Sequence, residues 1–160
     1  MKYIITESQY KLLTEEENIL EVAGAEYFGG WEGLQQYLEK KGNPLYKIKG
    51  DLNLEQSDII DLGNLVSVEG NLNLFGSYIE SLGKLKHVGG NLDLYNTYIE
   101  SLGELISVGG YLDISRTSIT TLGDLKYVGD YLNLENTPLS KTTTWKDVKN
   151  QVEIKGALTM

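Results

Sequence analysis

The stretch "VGGNLDLYNTYIESLGELIS", residues 88–107, is followed directly by "VGGYLDISRTSITTLGDLKY", residues 108–127, which has valine, glycine, leucine, aspartate and threonine in the same places. A shift of the chain against itself by twenty residues therefore aligns two neighbouring segments without a gap. Self-similarity at a fixed period is the sequence signature of repeat architectures, in which each unit packs on the next. The stretch thus predicts a stacked repeat protein rather than a fold built around one centre.

The same register extends over most of the chain. The aligned copies begin IKGDLNL (48–54), VEGNLNL (68–74), VGGNLDL (88–94), VGGYLDI (108–114) and VGDYLNL (128–134), and a truncated copy, IKGALTM (154–160), arrives six residues late. We predict five twenty-residue repeats over residues 46–137, an N-terminal helical cap over residues 1–45 and a C-terminal cap with a last strand over residues 138–160. All three belong to one folding unit, because a repeat array needs its ends covered.

Apolar spacing within one copy predicts its local structure. Leu92 and Leu94 alternate with polar neighbours, as in a strand with one buried face. Ile99, Leu102 and Leu105 recur every third residue, as in a tight extended or 3₁₀ path. One copy cannot bury its leucines alone, so successive "NLDL" strands are expected to stack into a parallel sheet of about six strands, ~4.8 Å apart, with a largely non-helical convex side.

The pattern "LxLxxTxIxxLGxL", read from residues 92–105, resembles a leucine-rich repeat in the short form found in bacterial and bacteriophage proteins. The "VxGxLxL" element resembles the repeats of receptor L domains, and the opening "IITESQ" resembles the starts of many bacteriophage open reading frames. The resemblance covers residues 46–160 and implies a leucine-rich-repeat-like solenoid of bacterial or phage origin. One departure is a column of hydroxyl residues in place of the family's asparagine ladder, namely Ser57, Ser77, Thr97, Thr117 and Thr137.

Two repeated columns have a structural interpretation. The hydroxyl column is expected to bond the backbone of a neighbouring coil, as a ladder rather than as a set of nucleophiles. Glycines recur where a tight turn needs a positive φ or a backbone without a side chain. They are Gly63, Gly83, Gly103 and Gly123 in one column, and Gly70, Gly90 and Gly110 in a second.

The segment before the repeats is expected to be helical. Thr6 is predicted to cap a helix from Glu7 to Ala23, with Gln9 completing a capping box and Gly24 ending the helix. A second helix is predicted to cover the open edge of the first coil with one apolar face, formed by Trp31, Leu34, Tyr37 and Leu38. The alternative for the first helix is an independent element that recruits a partner.

The segment after the repeats is expected to insert a short helix over "SKTTTWKDVKNQ", residues 140–151, before a last strand in "VEIKGALTM". Leu139, Trp145 and Val148 keep the apolar register of the preceding copy. Trp145 is therefore predicted to be a cap residue rather than a platform for a ligand.

Composition excludes several classes of protein. The chain has 160 residues, 41% of them hydrophobic, no cysteine and a net charge of −9. Disulfides and thiolate metal sites are therefore excluded, and an acidic chain without a lysine or arginine cluster is not expected to bind nucleic acid. The start is unlike a signal peptide and the chain has no run of about eighteen apolar residues, so we expect a soluble, cytoplasmic protein that does not enter a membrane, in the host cytoplasm if phage-encoded.

Residues for catalysis are sparse. The single histidine, His87, shares a column with Ser67, Ser107 and Tyr127, which predicts a surface position. Histidine and cysteine spacings typical of zinc sites and phosphate-loop motifs are missing from the sequence. We expect no enzymatic activity, no catalytic residue, no metal and no cofactor.

The outward face of the predicted sheet is the candidate binding site. We define it as the surface formed by residues 51, 53 and 55 and their equivalents in later copies, because the residue between two buried leucines must point away from the core. The predicted partner-binding residues are Phe75, Tyr95, Tyr111, Tyr131, Asn53, Asn73, Asp93, Asp113 and Asn133. Exposed aromatic side chains favour binding, whereas the alternative is a solvated sheet kept soluble by Asn and Asp. Asp93 and Asp113 are expected to lie roughly 5 Å apart at their Cα atoms, with too few ligands for tight calcium binding.

We therefore expect a non-enzymatic protein–protein interaction module, monomeric or weakly oligomeric, that binds a basic or polar partner through its outward face. One alternative is a structural protein in a phage or bacterial assembly. A lesser alternative is an acidic mimic that inhibits a nucleic-acid-binding host protein.

Overall fold

The computed structural model describes residues 18–160. In chain order, its strands are β1 (Leu20–Val22), β2 (Tyr46–Ile48), β3 (Leu52–Asn53), β4 (Leu65–Val68), β5 (Leu72–Asn73), β6 (His87–Val88), β7 (Leu92–Asp93), β8 (Ser107–Val108), β9 (Leu112–Asp113), β10 (Tyr127–Val128), β11 (Leu132–Asn133), β12 (Glu153–Ile154) and β13 (Leu158–Thr159). Its helices are a 3₁₀ turn (Ala25–Phe28) and the α-helices α1 (Trp31–Lys40), α2 (Pro138–Thr142) and α3 (Trp145–Gln151).

The strands form two parallel sheets. One has seven strands in the order β1-β2-β4-β6-β8-β10-β12, and the other has six in the order β13-β11-β9-β7-β5-β3. In the six-stranded sheet Leu92 pairs with Leu112 and Asp93 with Asp113, residues of successive copies. The chain is therefore a parallel β-solenoid with few helices, as the repeat predicted. The prediction of one sheet was incomplete, because the valine column forms a second sheet, in which Val88 pairs with Val108.

The core runs along the solenoid axis. The apolar positions predicted from the third copy, Val88, Leu92, Leu94, Ile99, Leu102 and Leu105, are all buried, and the equivalent leucines of the neighbouring copies are buried with them. Full burial of one such side chain stabilises the fold by about 1.5–3 kcal/mol. Stacking is thus what allows short coils to bury their leucines.

The hydroxyl column has a different partner from the predicted one. The Thr97 hydroxyl donates to the carbonyl oxygen of Leu94 at 2.8 Å, and the Thr117 hydroxyl donates to that of Ile114 at 2.7 Å. Each bond closes a turn within its own coil, so the predicted ladder between coils is wrong for this column. The left-handed conformation of the preceding residue, φ 58° at Asn96, accompanies this turn.

Each glycine column meets at least one of the two predicted requirements. Gly103 has φ 57°, as do its equivalents within a few degrees, so this column is in the left-handed region that favours glycine. At Gly70 an added Cβ would lie 2.8 Å from the carbonyl carbon of Gly50 in the preceding coil. The second column is therefore glycine because successive backbones approach too closely for a side chain.

The described part of the N-terminal segment, residues 18–45, is only partly helical. The Thr6 cap and the first part of the predicted helix lie outside the described residues. The predicted continuation to Ala23 is wrong, because β1 pairs in parallel with β2 and extends the seven-stranded sheet. Burial of Val22 and an ion pair of 2.8 Å between Glu21 and Lys47 on β2 favour the strand.

The second predicted helix is confirmed as α1, which ends at Lys40. Its apolar face buries Leu34 and Leu38 in the core, while Trp31 and Tyr37 pack against the core and stay partly exposed. Within this face, the aliphatic residues are the more deeply buried.

The C-terminal segment forms two helices where one was predicted, followed by one short strand in each sheet. α3 begins at a capping box in which the Thr144 hydroxyl accepts from the Asp147 N–H at 3.3 Å and an Asp147 carboxylate oxygen accepts from the Thr144 N–H at 3.1 Å. Val148 is buried, whereas Trp145 is 51% exposed, with the Lys149 ammonium 6.0 Å from its ring centre. The predicted core register of Trp145 is therefore wrong, because the capping box starts the helix with this residue towards solvent.

Candidate functional site

The central column of the outward face ends five of the six strands of the six-stranded sheet in the same way. Its side-chain oxygens accept a hydrogen bond from the N–H two residues further on, at 2.9–3.1 Å, in Asn53, Asn73, Asp93, Asp113 and Asn133. All five project from the face between buried leucines or isoleucine, as predicted. The column therefore has a structural role, which an amide and a carboxylate perform equally well.

The predicted aromatic residues come together as two stacked pairs. The ring centres of Phe75 and Tyr95 are 5.2 Å apart with an angle of 7° between the rings. Those of Tyr111 and Tyr131 are 4.9 Å apart with an angle of 6°. All four side chains are partly exposed. Such pairs stabilise the alignment of adjacent coils by about 0.5–1.5 kcal/mol each beyond their burial.

The Phe75–Tyr95 pair carries a cation from the next coil. The Arg116 guanidinium carbon lies 5.5 Å from the centre of the Tyr95 ring, within the range of a cation–π interaction. Arg116 has φ 55°, so the left-handed turn at the end of the strand positions it. The face therefore already holds one guanidinium group on a stacked aromatic pair.

Asp93 and Asp113 occupy paired positions on β7 and β9. Burial raises the pKa of Asp93, the hydrogen bond from the Tyr95 N–H opposes this, and the nearby carboxylates of Asp113 and Glu55 raise the pKa further. Asp113 is held by the Ser115 hydroxyl at 2.6 Å and by the Asn133 amide at 3.3 Å. The two carboxylates thus repel each other on a partly buried surface.

The same carboxylates act on the phenol groups beside them. Burial raises the pKa of Tyr111, and the charges of Asp93 and Asp113 raise it further. The pKa of Tyr131 is also raised, first by burial and then by Tyr111, Asp113 and other acidic groups. The Tyr111–Tyr131 pair therefore lies in the field of the two carboxylates and remains neutral at physiological pH.

A ladder between coils exists in the column at residues 51, 71 and 91. The Asn71 N–H donates to Asp51 at 2.6 Å, the Asn91 N–H donates to Asn71 at 2.8 Å, and the Tyr111 N–H donates to Asn91 at 3.0 Å. These bonds replace the ladder that the sequence assigned to the hydroxyl column. In the first coils this edge of the face is structural, and it becomes aromatic at Tyr111.

The charges on the seven-stranded sheet are paired. Lys47 lies 2.8 Å from Glu21 and 3.7 Å from Glu69, and Lys155 lies 2.6 Å from Glu153. Hydrogen bonds from Lys47 and Lys49 lower the pKa of Glu21 to about 2. His87 is exposed on this sheet, with Nδ1 2.9 Å from the Ser107 hydroxyl oxygen, which confirms its predicted surface position.

A third aromatic pair was missed by the sequence analysis. Tyr78 and Tyr98 are 52% and 59% exposed, and their ring centres are 5.7 Å apart at 13°. Tyr98 lines a shallow depression of about 410 Å³ together with Glu80, Glu100 and Ser118. Alternation with the buried residues on either side of each tyrosine could have predicted that this column points outward.

Within residues 18–160, no group of three or more acidic, histidine or cysteine side chains is arranged to hold a metal ion. The helices of this part of the chain are all too short or too polar to span a membrane.

Comparisons with protein-family models, curated proteins and solved structures gave no match for the chain. Its function is therefore inferred from its own side chains.

Proposed function

We propose that this protein is a non-enzymatic interaction module that binds a basic segment of a protein partner through its outward face. The observation that carries the proposal is the carboxylate pair of Asp93 and Asp113, which lies between two stacked aromatic pairs and has no cationic partner among residues 18–160. Partly exposed aromatic rings supply binding energy in protein interfaces, and charge supplies specificity and rate of encounter.

Charge complementarity favours a basic partner. The outward face carries acidic side chains at Asp51, Glu55, Asp93, Asp113 and Glu135, and its three columns contain no lysine or arginine. Among the described residues, no lysine or arginine lies within ion-pair distance of Asp93 or Asp113, in contrast to the paired charges of the other sheet. A basic segment would neutralise charges that the fold itself leaves unpaired.

We also propose that the solenoid is leucine-rich-repeat-like and that its two helical segments act as caps. The leucine-rich-repeat-like spacing of each coil supports a solenoid that presents its binding residues in regular columns. Leu34 and Leu38 on α1 and Val148 on α3 contribute to the core, which supports a capping role for both helical segments. In this proposal the capped solenoid is a rigid scaffold, and recognition belongs to the face.

The test compares two double variants with the wild type. The face variant is Tyr95→Ser with Tyr111→Asn, because the chain itself carries Ser115 and Asn91 at the equivalent positions. The control is Tyr78→Ser with Tyr98→Ser. It removes a stacked tyrosine pair that lies outside the outward face and is more exposed than the pairs on that face. The wild type and both double variants are immobilised to capture partners from lysate. The captured partner is then purified, and its affinity for each of the three proteins is measured by calorimetry at two salt concentrations.

We expect a basic partner whose affinity falls roughly 30-fold or more in the face variant, about 2 kcal/mol for each true hot spot, and changes little in the control. Cross-links from the partner should map to the outward face, and melting curves should show that both variants are folded. A partner held equally by all three proteins would overturn the proposal. So would recovery of the protein only within large particles, which would indicate the structural alternative.

A further inference from the structure

The turn that follows Asp93 and Asp113 does not require the negative charge of either residue. Asn53, Asn73 and Asn133 accept the same backbone hydrogen bond in the same column, at 3.0–3.1 Å. An amide would therefore complete the turn at residues 93 and 113 without placing two negative charges on adjacent strands. The third and fourth coils therefore carry two repelling carboxylates that the turn does not need, although Asp113 also accepts a hydrogen bond from the Asn133 amide at 3.3 Å.

These two charges lie between the two stacked aromatic pairs of the outward face. Phe75–Tyr95 lies in the second and third coils on one side of the central column, and Tyr111–Tyr131 lies in the fourth and fifth coils on the other side. Asp93 and Asp113, in the third and fourth coils, are therefore diagonally between the two pairs. Tyr111 is close enough for both carboxylates to raise its pKa.

Within residues 18–160, the Phe75–Tyr95 pair holds a guanidinium group and the Tyr111–Tyr131 pair does not. Arg116 lies against Tyr95. Among the described residues, the cations found over aromatic rings lie on Tyr37, Tyr95 and Trp145, and none lies on Tyr111 or Tyr131. The pair next to the carboxylates is thus the one without a cation from the described part of the chain.

We propose that Tyr111, Tyr131, Asp93 and Asp113 bind one arginine side chain of the partner, with its guanidinium stacked on the tyrosine pair and paired with the carboxylates. A guanidinium group is planar, stacks on aromatic rings and donates to two carboxylates at once, which an ammonium group does less well. The inference rests on the proposed function and names the group that the outward face recognises.

The test uses small probes and the complete chain. N-acetyl-arginine methylamide, its neutral isostere N-acetyl-citrulline methylamide and the lysine analogue are titrated at low salt, and amide chemical shifts are followed by NMR. We expect the arginine probe to shift residues around 93, 111, 113 and 131, and to bind about tenfold more tightly than the citrulline probe. The lysine probe should bind more weakly than the arginine probe.

The variant series is Asp93→Asn with Asp113→Asn, matched by Asp61→Asn with Asp124→Asn. The matched pair makes the same charge change at exposed positions outside the outward face. The first double variant should lose about tenfold in affinity for the arginine probe, and the second should lose little beyond general screening. Each spectrum reports directly whether its variant is folded.

Equal shifts with the arginine and citrulline probes, tighter binding of lysine, or equal losses in the two double variants would each overturn this inference. If the tyrosine variants lose the captured partner while the aspartate variants and the probes show no preference, the outward face is the binding site and the arginine subsite is wrong. If the tyrosine variants retain the partner, the proposed function itself is wrong.

Discussion

At the scale of the residue, the hydroxyl column contains one serine whose hydroxyl is hydrogen-bonded, Ser57, and one whose hydroxyl is not bonded within residues 18–160, Ser77. The Ser57 hydroxyl donates to the Leu54 carbonyl oxygen at 2.7 Å. Ser77 has the equivalent place in the next coil and is fully buried, yet its hydroxyl has no hydrogen-bond partner among the described residues. An unpaired buried polar group lowers stability, whereas a paired one contributes to it.

We therefore predict opposite effects for one substitution at two equivalent positions. Ser57→Ala should lower the free energy of unfolding by about 0.5–1.5 kcal/mol, because it removes a hydrogen bond. Ser77→Ala should leave the free energy of unfolding unchanged or raise it, because it removes a hydroxyl that gains nothing from burial. Denaturant midpoints measure both. Equal losses at the two positions would show that the Ser77 hydroxyl has a partner in solution.

The negative charge of Asp93 lowers the stability of the fold, whereas the proposed binding of an arginine requires that charge. Burial and the neighbouring carboxylates raise its pKa above the ordinary value of 3.8. The folded protein therefore holds the Asp93 proton more tightly than the unfolded chain does, and this stabilisation is complete below 3.8 and is lost as pH rises through the raised pKa. At neutral pH the ionised group is unfavourable for folding.

We predict that Asp93→Asn raises the melting temperature at pH 7, because the amide keeps the hydrogen bond to the Tyr95 N–H without the charge. The gain should shrink on acidification and vanish below the ordinary carboxyl pKa of 3.8, where the wild-type side chain is also neutral. Asp124→Asn, on an exposed turn, controls for the change in net charge. A gain that persists unchanged at pH 3 would mean that packing, not ionisation, is responsible.

At the scale of the element, the sequence predicted what depends on alternation and period. Leu92 and Leu94 alternate with polar residues, so their strand and its outward central column followed directly. The second sheet was not predicted, because in the middle coils each of its strands, such as Ser107–Val108, contains a single buried valine and therefore shows no alternation. In the predicted sheet, by contrast, Leu92 and Leu94 are both buried on either side of Asp93.

Errors occurred where local signals competed with tertiary pairing. Residues 20–22 extend a region rich in helix-forming residues, yet β2 offers them a complete edge, and strand pairing prevailed. Trp145 fitted the apolar register, but the capping box at Thr144 fixed where α3 starts and turned the ring outward. In the candidate site, the outward columns were predictable, whereas stacking of tyrosines in pairs and the contact of Arg116 with Tyr95 depend on side-chain positions that a single sequence does not specify.

At the scale of the whole molecule, each coil makes its sheet contacts with the coils before and after it. Strand pairs join successive copies throughout both sheets, so stability is approximately a sum over coils and their interfaces. The glycine columns, the turns at the column of Ser and Thr hydroxyls and the buried leucine columns all repeat every twenty residues. One coil can therefore take the place of another without shifting the strand pairing. The binding residues do not repeat in this way, since the aromatic pairs and the carboxylate pair each occupy particular coils.

We therefore predict that fold and binding separate when one complete copy is removed. Deletion of residues 88–107 joins His87 to Val108, restores the sequence register and brings Lys84 next to Asp124 instead of Glu104. The shortened protein should give a cooperative melting curve with a lower midpoint, because one set of interfaces is lost while all the others are re-formed. It should bind the arginine probe more weakly, by up to about tenfold, because Asp93 is gone and Asn73 then lies beside Asp113. Deletion of half a copy, residues 88–97, is the matched control and should prevent folding, because it brings strand segments opposite turn segments. If both deletions abolish the circular dichroism signal of the folded protein, the coils are not interchangeable units. If the complete-copy deletion binds the arginine probe as tightly as the wild type does, the carboxylate pair is not the binding site.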